Sequence, residues 1–331
     1  MSETAFARLS QEQVLERRLT PQPTLVLFHV NPEADAVGSA FALAELLRAT
    51  GSPTYCLSAD EIPARLRFLT DGLQESTLVQ SLPQGFENAR VVAVDSASPA
   101  QLGSLYELFG TRISVMIDHH EKGTPYADCL ILPKAAATGE IVFDLIAASG
   151  VEVSERCGAL LYAAISSDTG GFRYSNVTHE THLRAAALVA GGVDVAEISH
   201  ALFESKSMQE LRAEQLGIEH MHLYDEGRIA IIPLSYDLLC KADLEPQHLS
   251  CVIDVARSLA GVEVAVVLRQ PEDAPRFRAS MRANVDFDVS AVCERFGGGG
   301  HRRAAGATVE APDVASAESA VLEAIRALKS I

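Results

Sequence analysis

The sequence predicts an α/β protein, with a first domain on a mostly parallel sheet and a second, smaller α/β domain carrying a GGGGH motif. Three observations carry this. Short β-branched runs alternate with amphipathic helical segments through the first half. Several of those runs are apolar throughout, as strands covered on both faces are. The second half changes rhythm around a glycine-rich stretch, Gly297 to Gly306. A chain of 331 residues is long enough for two domains, each with its own core.

The opening residues, MSETAFARLSQEQVLERRL, read as a polar lead into a helix and lack the apolar block of a leader peptide. Thr24 to His29 reads as a strand and Ala36 to Leu47 as the helix after it. Val91 to Asp95 and Ile113 to Asp118 are further strands, each ending in an aspartate, with a crossover helix expected over Pro99 to Phe109. Helices follow at Thr138 to Ala148 and Ser154 to Ser166, and Asp168 is expected in the turn SSDTGGF just beyond. A helix from Thr178 to Ala190 is closed by Gly191 and Gly192. These elements divide the chain into a domain over 1–192, a largely helical connector over 193–220 and a second domain over 221–331. In the latter, strands are expected at Ile229 to Pro233, Glu263 to Arg269 and Arg276 to Arg282, and helices at Leu249 to Ala260, Asp288 to Phe296 and Val314 to Ala327.

Composition narrows the function classes. Hydrophobic residues make up 48% and charged residues 21%, as in a folded, water-soluble protein. No apolar run approaches the length of a membrane span. The six cysteines show no CxxC spacing, so a thiolate metal site is not expected and a reducing cytoplasm is. A formal charge of −17 opposes a groove for long nucleic acid, which must neutralise many phosphates. It leaves room for a small phosphorylated substrate, because a few cations at one site reverse the local field.

In an open parallel sheet, ligands bind beyond the carboxyl ends of the strands. There the sequence places His29, Glu33 and Asp35 in HVNPEADAVGS, then Asp95, then the triplet Asp118-His119-His120, and finally Asp168. Any one of these, taken alone, is more often a cap or a solvated residue, and SDTGG alone reads as a turn. Together they bring carboxylates and imidazoles to one place. Such a set suits manganese, magnesium, iron or cobalt and would repel itself without cations. Two ions sharing one carboxylate resolve the repulsion, and Asp95, on a central strand, is the expected bridge. Two close cations favour hydrolysis of a phosphate ester.

With these motifs in order, HVNPEADAVGS, VVAVDS, IDHHE, SDTGGF and GGGGH, the sequence resembles the DHH phosphoesterase family over nearly its whole length. The resemblance implies that His29, Glu33 and Asp95 hold the first metal and that Asp35, Asp95, His119 and Asp168 hold the second. It implies that His120 faces the substrate phosphate and that manganese is the usual metal. Within the family, length and the GGGGH motif look most like bifunctional oligoribonucleases that also remove the 3′-phosphate of 3′-phosphoadenosine 5′-phosphate. One departure stands out: the family has aspartate where this chain has Glu33.

The second domain is expected to read the substrate. Four consecutive glycines cost more conformational entropy than a helix stop requires. Followed by His301, they suggest backbone lying against a ligand, which assigns Gly298, Gly299, Gly300 and His301 to substrate binding. Arg282 and Ser280 match the family's SxRS segment, with Ala283 in place of its last serine, and a guanidinium fork suits a terminal phosphate. The expected partners are short oligoribonucleotides or small nucleotides, without long nucleic acid or membrane, and with a homodimer left open. The expected activity is dimetal hydrolysis of pApA-like dinucleotides and short RNA. A cyclic di-AMP phosphodiesterase using the same residues is the alternative, and a nucleotide-binding sensor with a degenerate metal site comes third.

Overall fold

A computed structural model describes residues 6–18, 20–71, 75–76, 82 and 84–329. The chain forms two compact units, the first reaching Ser205 and the second beginning at Lys206.

The first unit runs α1 (Gln11–Arg18), β1 (Thr24–Leu27), α2 (Ala34–Ala49), β2 (Thr54–Leu57), β3 (Glu75–Ser76), β4 (Arg90–Val94), α3 (Ser104–Phe109), β5 (Ile113–Asp118), β6 (Cys129–Ile131), α4 (Thr138–Ser149), α5 (Glu155–Asp168), α6 (His179–Ala190) and α7 (Val195–Ser199). All six strands pair in parallel, in the order β3-β2-β1-β4-β5-β6. Alternate residues serve two cores. Leu25, Leu27, Val91 and Ala93 face one, while Val26, Val92, Val94 and Ile117 face the other against α2, α4 and α5. Both faces are dry, which is why these strands read as unbroken apolar runs. From β1 the chain winds outward to β2 and β3, then returns to build β4, β5 and β6 on the other side. The reversal opens a crevice at the carboxyl ends of β1 and β4.

Three local expectations change. The crossover segment 99–109 is a 3-10 turn (Pro99–Leu102) followed by α3, because Gly103 takes a φ of 55° between them. A Cβ there would lie 2.7 Å from Val30 Cγ1, so the break is built into the packing. Asp168 closes α5 rather than sitting in the turn after it. The turn begins one residue later, where the Thr169 hydroxyl donates to Ile165 O at 2.6 Å and Gly170 and Gly171 adopt φ of 57° and 68°. The expected connector divides, with α7 in the first unit and the next helix in the second.

The second unit runs α8 (Met208–Glu219), β7 (His222–Tyr224), β8 (Ile229–Leu234), α9 (Tyr236–Lys241), α10 (Val252–Ser258), β9 (Val264–Arg269), β10 (Arg276–Ala283), α11 (Val289–Glu294), β11 (Gly299–His301), β12 (Ala304–Glu310) and α12 (Val314–Lys329). Its sheet is mixed, in the order β11-β12-β10-β9-β8-β7, and only β8 and β9 pair in parallel. One face packs Phe277, Met281, Val321 and Ile325; the other packs Ile232, Val267, Val252 and Ala213. The glycine-rich stretch is a hairpin, β11 to β12. No described helix is long and apolar enough to cross a membrane.

The packing of α2 on α5 is the tightest point of the first core. A Cβ on Gly38 would collide with the backbone oxygen of Leu160 and approach Ala164 Cβ to 3.0 Å. A backbone atom cannot step aside as a side chain can. Gly38→Ala is therefore expected to lower the urea midpoint by the equivalent of about 1–3 kcal/mol, despite alanine's better helix propensity. A midpoint at or above that of the parent would show that the two helices have slack.

Candidate metal centre

Each polar side chain reaches the crevice by a local necessity. His29 follows β1, and its Nδ1 pairs with Val30 O at 2.7 Å, which turns Nε2 toward the carboxylates. Asp95 follows β4. Its amide still donates to Ile117 O at 3.0 Å, after which the backbone takes a φ of 52°, a left-handed conformation that aspartate tolerates better than most residues. Asp118 ends β5, and its Oδ1 accepts the amides of His119 at 2.8 Å and His120 at 3.2 Å and pairs with His120 Nδ1 at 2.7 Å. Asp35 lies in the first turn of α2 and Asp168 at the last residue of α5.

Among the groupings of metal-ligand spacing, two meet at Asp95. In one, His29 Nε2 lies 3.5 Å from Asp95 Oδ2 and 4.0 Å from Glu33 Oε1. In the other, His119 Nε2 lies 3.2 Å from Asp168 Oδ2 and 3.8 Å from Asp35 Oδ2. Asp95 faces both, since its Oδ1 is 3.8 Å from His119 Nε2. Most of these separations are too long for good hydrogen bonds, and they are close to the ~3 Å between neighbouring donors around a hard divalent ion. Asp95 Oδ2 is buried with no hydrogen-bond partner among the described residues. His29 Nε2, at 3.5 Å, meets its charge without a close hydrogen bond, and a buried carboxylate oxygen gains from a closer cation. The donor set and the orphaned oxygen therefore fit divalent cations. Glu33 is the outlier: it is the N-cap of α2 without capping it, and its side chain is 52% exposed.

Charge explains the protonation of the cluster. Burial raises Asp35, and the charges of Asp95 and Asp168 raise it further. Burial works the same way on Asp95, but His29, His120 and His119 outweigh it and hold that carboxyl below its ordinary range. His119 is lowered by burial and raised more by Asp168, Asp35 and Asp95. His29, likewise opposed by burial, is lifted to about 9 by Asp95, Glu33 and the Val30 carbonyl. Protons on the imidazoles thus compete with cations for this site.

Some contributors carry no signal in the sequence reading. Thr138 and Gly139, at the start of α4, donate their amides to Asp35 at 2.7 and 2.9 Å. Asn176 Nδ2 donates to the backbone oxygens of Ala136 and Asp168, both at 3.1 Å. Only an uncapped helix start after three alanines hints at the first pair.

In the second unit, Ser280, Arg282, Gly299 and His301 share one sheet face, while Gly300 lies in the row of the buried Met281. Arg282, Ala304 and His301 lie in one cross-strand row, and Ser280, Gly306 and Gly299 in the next. Arg282 and His301 are thus two strands apart, roughly 10 Å, with small residues between them. Arg282 Nη1 donates to Met281 O at 3.0 Å. The fold itself requires several of the glycines. Gly297 and Gly300 have φ of 71° and 140°, and a Cβ on Gly298 would strike Gly306 O. Gly299 combines open space with a backbone conformation open to any residue.

The model of the DHH family, N-terminal domain, matches residues 23–165, and that of the DHHA1 domain matches residues 229–330. The chain is 33% identical over 307 residues to the bifunctional oligoribonuclease and PAP phosphatase NrnA of Thermus thermophilus, covering 92% of this chain and 89% of that protein. It is 26% identical to the cyclic-di-AMP phosphodiesterase GdpP of Geobacillus thermodenitrificans, covering 96% of this chain and 49% of that one. An exopolyphosphatase-related protein from Bacteroides fragilis shares the fold with a TM-score of 0.82 at 22% identity, covering 93% and 94% of the two chains.

A cation entering this site must displace the protons held by its imidazoles. Apparent affinity for manganese is therefore expected to climb as pH rises toward about 9, the range in which His29 loses its proton. Calorimetric titration in buffers of different ionisation heat should register proton release below that point. An affinity independent of pH would remove His29 and His119 from the ligand set.

Proposed function

This chain belongs to the DHH phosphoesterase family and is a metal-dependent phosphoesterase, and from that premise we propose that it hydrolyses short oligoribonucleotides and dinucleotides such as pApA. We propose also that it releases the 3′-phosphate of 3′-phosphoadenosine 5′-phosphate, with manganese as the working ion. The observation that carries this reading is Asp95, buried and facing two carboxylate–imidazole clusters at once.

In this reading His29, Glu33 and Asp95 hold one ion, and Asp35, Asp95, His119 and Asp168 hold the other. Divalent cations held there supply the positive charge that activates water and offsets charge on the phosphoryl oxygens. The protein's own groups do the rest. Asp118 pairs with His120 Nδ1, so any proton that His120 shares with substrate is carried at Nε2. Burial opposes its charged form, but Asp118 and Asp95 outweigh burial and raise it, which equips it to donate to a phosphate oxygen or to the leaving group. Arg282, His301 and, as a weaker contributor, Ser280 bind a second phosphate, with Gly299 as the point of close backbone approach. Length preference follows from charge: a net −17 repels a long strand and tolerates a short one.

A cyclic di-AMP phosphodiesterase is the second reading, favoured by the likeness to GdpP across 96% of this chain. Side-by-side turnover of pApA, short RNA, cyclic di-AMP and 3′-phosphoadenosine 5′-phosphate with manganese separates the two. The linear dinucleotide is expected to be the best substrate and a 20-mer a poor one; a 20-mer degraded as fast as the dinucleotide defeats the length preference. Asp95→Asn, which keeps the left-handed backbone and removes the charge, should cut turnover by orders of magnitude. Arg282→Ala should chiefly raise KM for doubly phosphorylated substrates, leaving a minimal phosphoester little changed.

A further inference from the structure

Helix α4 begins without a capping side chain. Its N-cap is Ala137, which has nothing to offer the first amides. Those amides are served from elsewhere: Thr138 N donates to Asp35 Oδ2 at 2.7 Å and Gly139 N to Asp35 Oδ1 at 2.9 Å. The Thr138 hydroxyl turns the other way and donates to Asp95 Oδ1 at 2.9 Å. One residue thus grips two carboxylates, one from the first turn of α2 and one from the end of β4. Thr138, Asp35 and Asp95 are all buried, so no water competes for these contacts.

The consequence for Asp95 is directional. With Oδ1 occupied by Thr138, it is Oδ2 that is left buried without a hydrogen-bond partner among the described residues. A threonine in a helix divides between two rotamers, and the bond to Asp95 Oδ1 selects one of them. The segment that carries it is anchored on several sides. Ala135 O pairs with His119 Nδ1 at 3.3 Å, and Ala136 N donates to Glu140 Oε2 at 3.1 Å. Ala136 O accepts from Asn176, which also holds the backbone oxygen of Asp168. Gly139 must be glycine, because a Cβ would lie 2.6 Å from Ala164 Cβ and 3.4 Å from Asp35 Oδ1.

We propose that Thr138 is a positioning residue for the metal centre: its hydroxyl and amide together set the separation and orientation of Asp95 and Asp35. The proposal rests on the metal-ligand roles given to these two aspartates in the proposed function. Partners that orient metal ligands are worth about 10- to 100-fold in metal affinity.

The test uses the full chain and manganese alone. Thr138→Val keeps the shape and the amide and removes the hydroxyl, and calorimetric titration should show manganese binding about 10- to 100-fold weaker. Thr138→Ala, which adds no apolar branch beside Asp95, should weaken it as much, and it answers the question if the valine variant does not fold. Thr138→Ser should restore most of the affinity. At saturating manganese the turnover of the hydroxyl-less variants should recover toward that of the parent, since the loss lies in metal affinity. Parental manganese affinity in the folded alanine or valine variant overturns the proposal, and so does a serine variant as weak as alanine. A parent that binds manganese but turns over no short nucleotide would sink the proposed substrate and leave the role of Thr138 standing.

Discussion

Carboxylates repel one another most strongly where water is scarce, and Asp35, Asp95 and Asp168 all approach His119 in such a place. Gathering them has to be compensated locally. Part of the compensation is positive charge on the imidazoles that the same carboxylates hold protonated. Part is fixed dipole: two amides at the start of α4 meet Asp35, and the partial positive charge of a helix N-terminus favours an anion there. What remains is a deficit that a divalent cation would fill.

The fold supplies this arrangement cheaply in chain geometry. Because the sheet reverses its winding between β1 and β4, the segments leaving those strands diverge and leave a gap that no connection has to cross. His29 and Asp95 occupy the two sides of the gap. The helices then close it from the flank, with α2 and α5 brought into near-backbone contact at Gly38 so that Asp35 and Asp168 reach the same imidazole. Packing within about a turn or two of the helix ends thereby sets the distances between the candidate ligands there.

Much of this was legible in the sequence, and the boundary of legibility has a physical cause. The strands carrying His29, Asp95 and Asp118 declare themselves because burial on both faces demands continuous apolar runs. Asp168 reads as a turn residue because glycines follow it, yet the Thr169 hydroxyl and the backbone extend the helix to include it. Short strands such as β2 and β6 have too few residues to show a period, and their pairing is decided by neighbours. The glycine run looks like a single ligand-binding device. The hairpin shows that Gly298 and Gly300 are needed for β11 to lie close to β12, whatever binds beside them. Thr138 is hard to read for a different reason: its two contacts cross more than forty positions of chain, and the uncapped helix start is a faint local mark.

The order in which the metal-site residues leave the ribosome has its own consequence. His29, Glu33, Asp35, Asp95, His119 and Asp168 are spread from the first strand to the end of α5, and Thr138 emerges between the last two. At ordinary translation speeds, the nascent chain waits on the order of ten seconds between presenting the first of these groups and the last. During that interval the early carboxylates and His29 are tethered to an unfinished sheet, and Asp35 lacks the amides of α4. The full set of candidate ligands, with the amides that hold Asp35, is therefore complete only once α4 and α5 have been made.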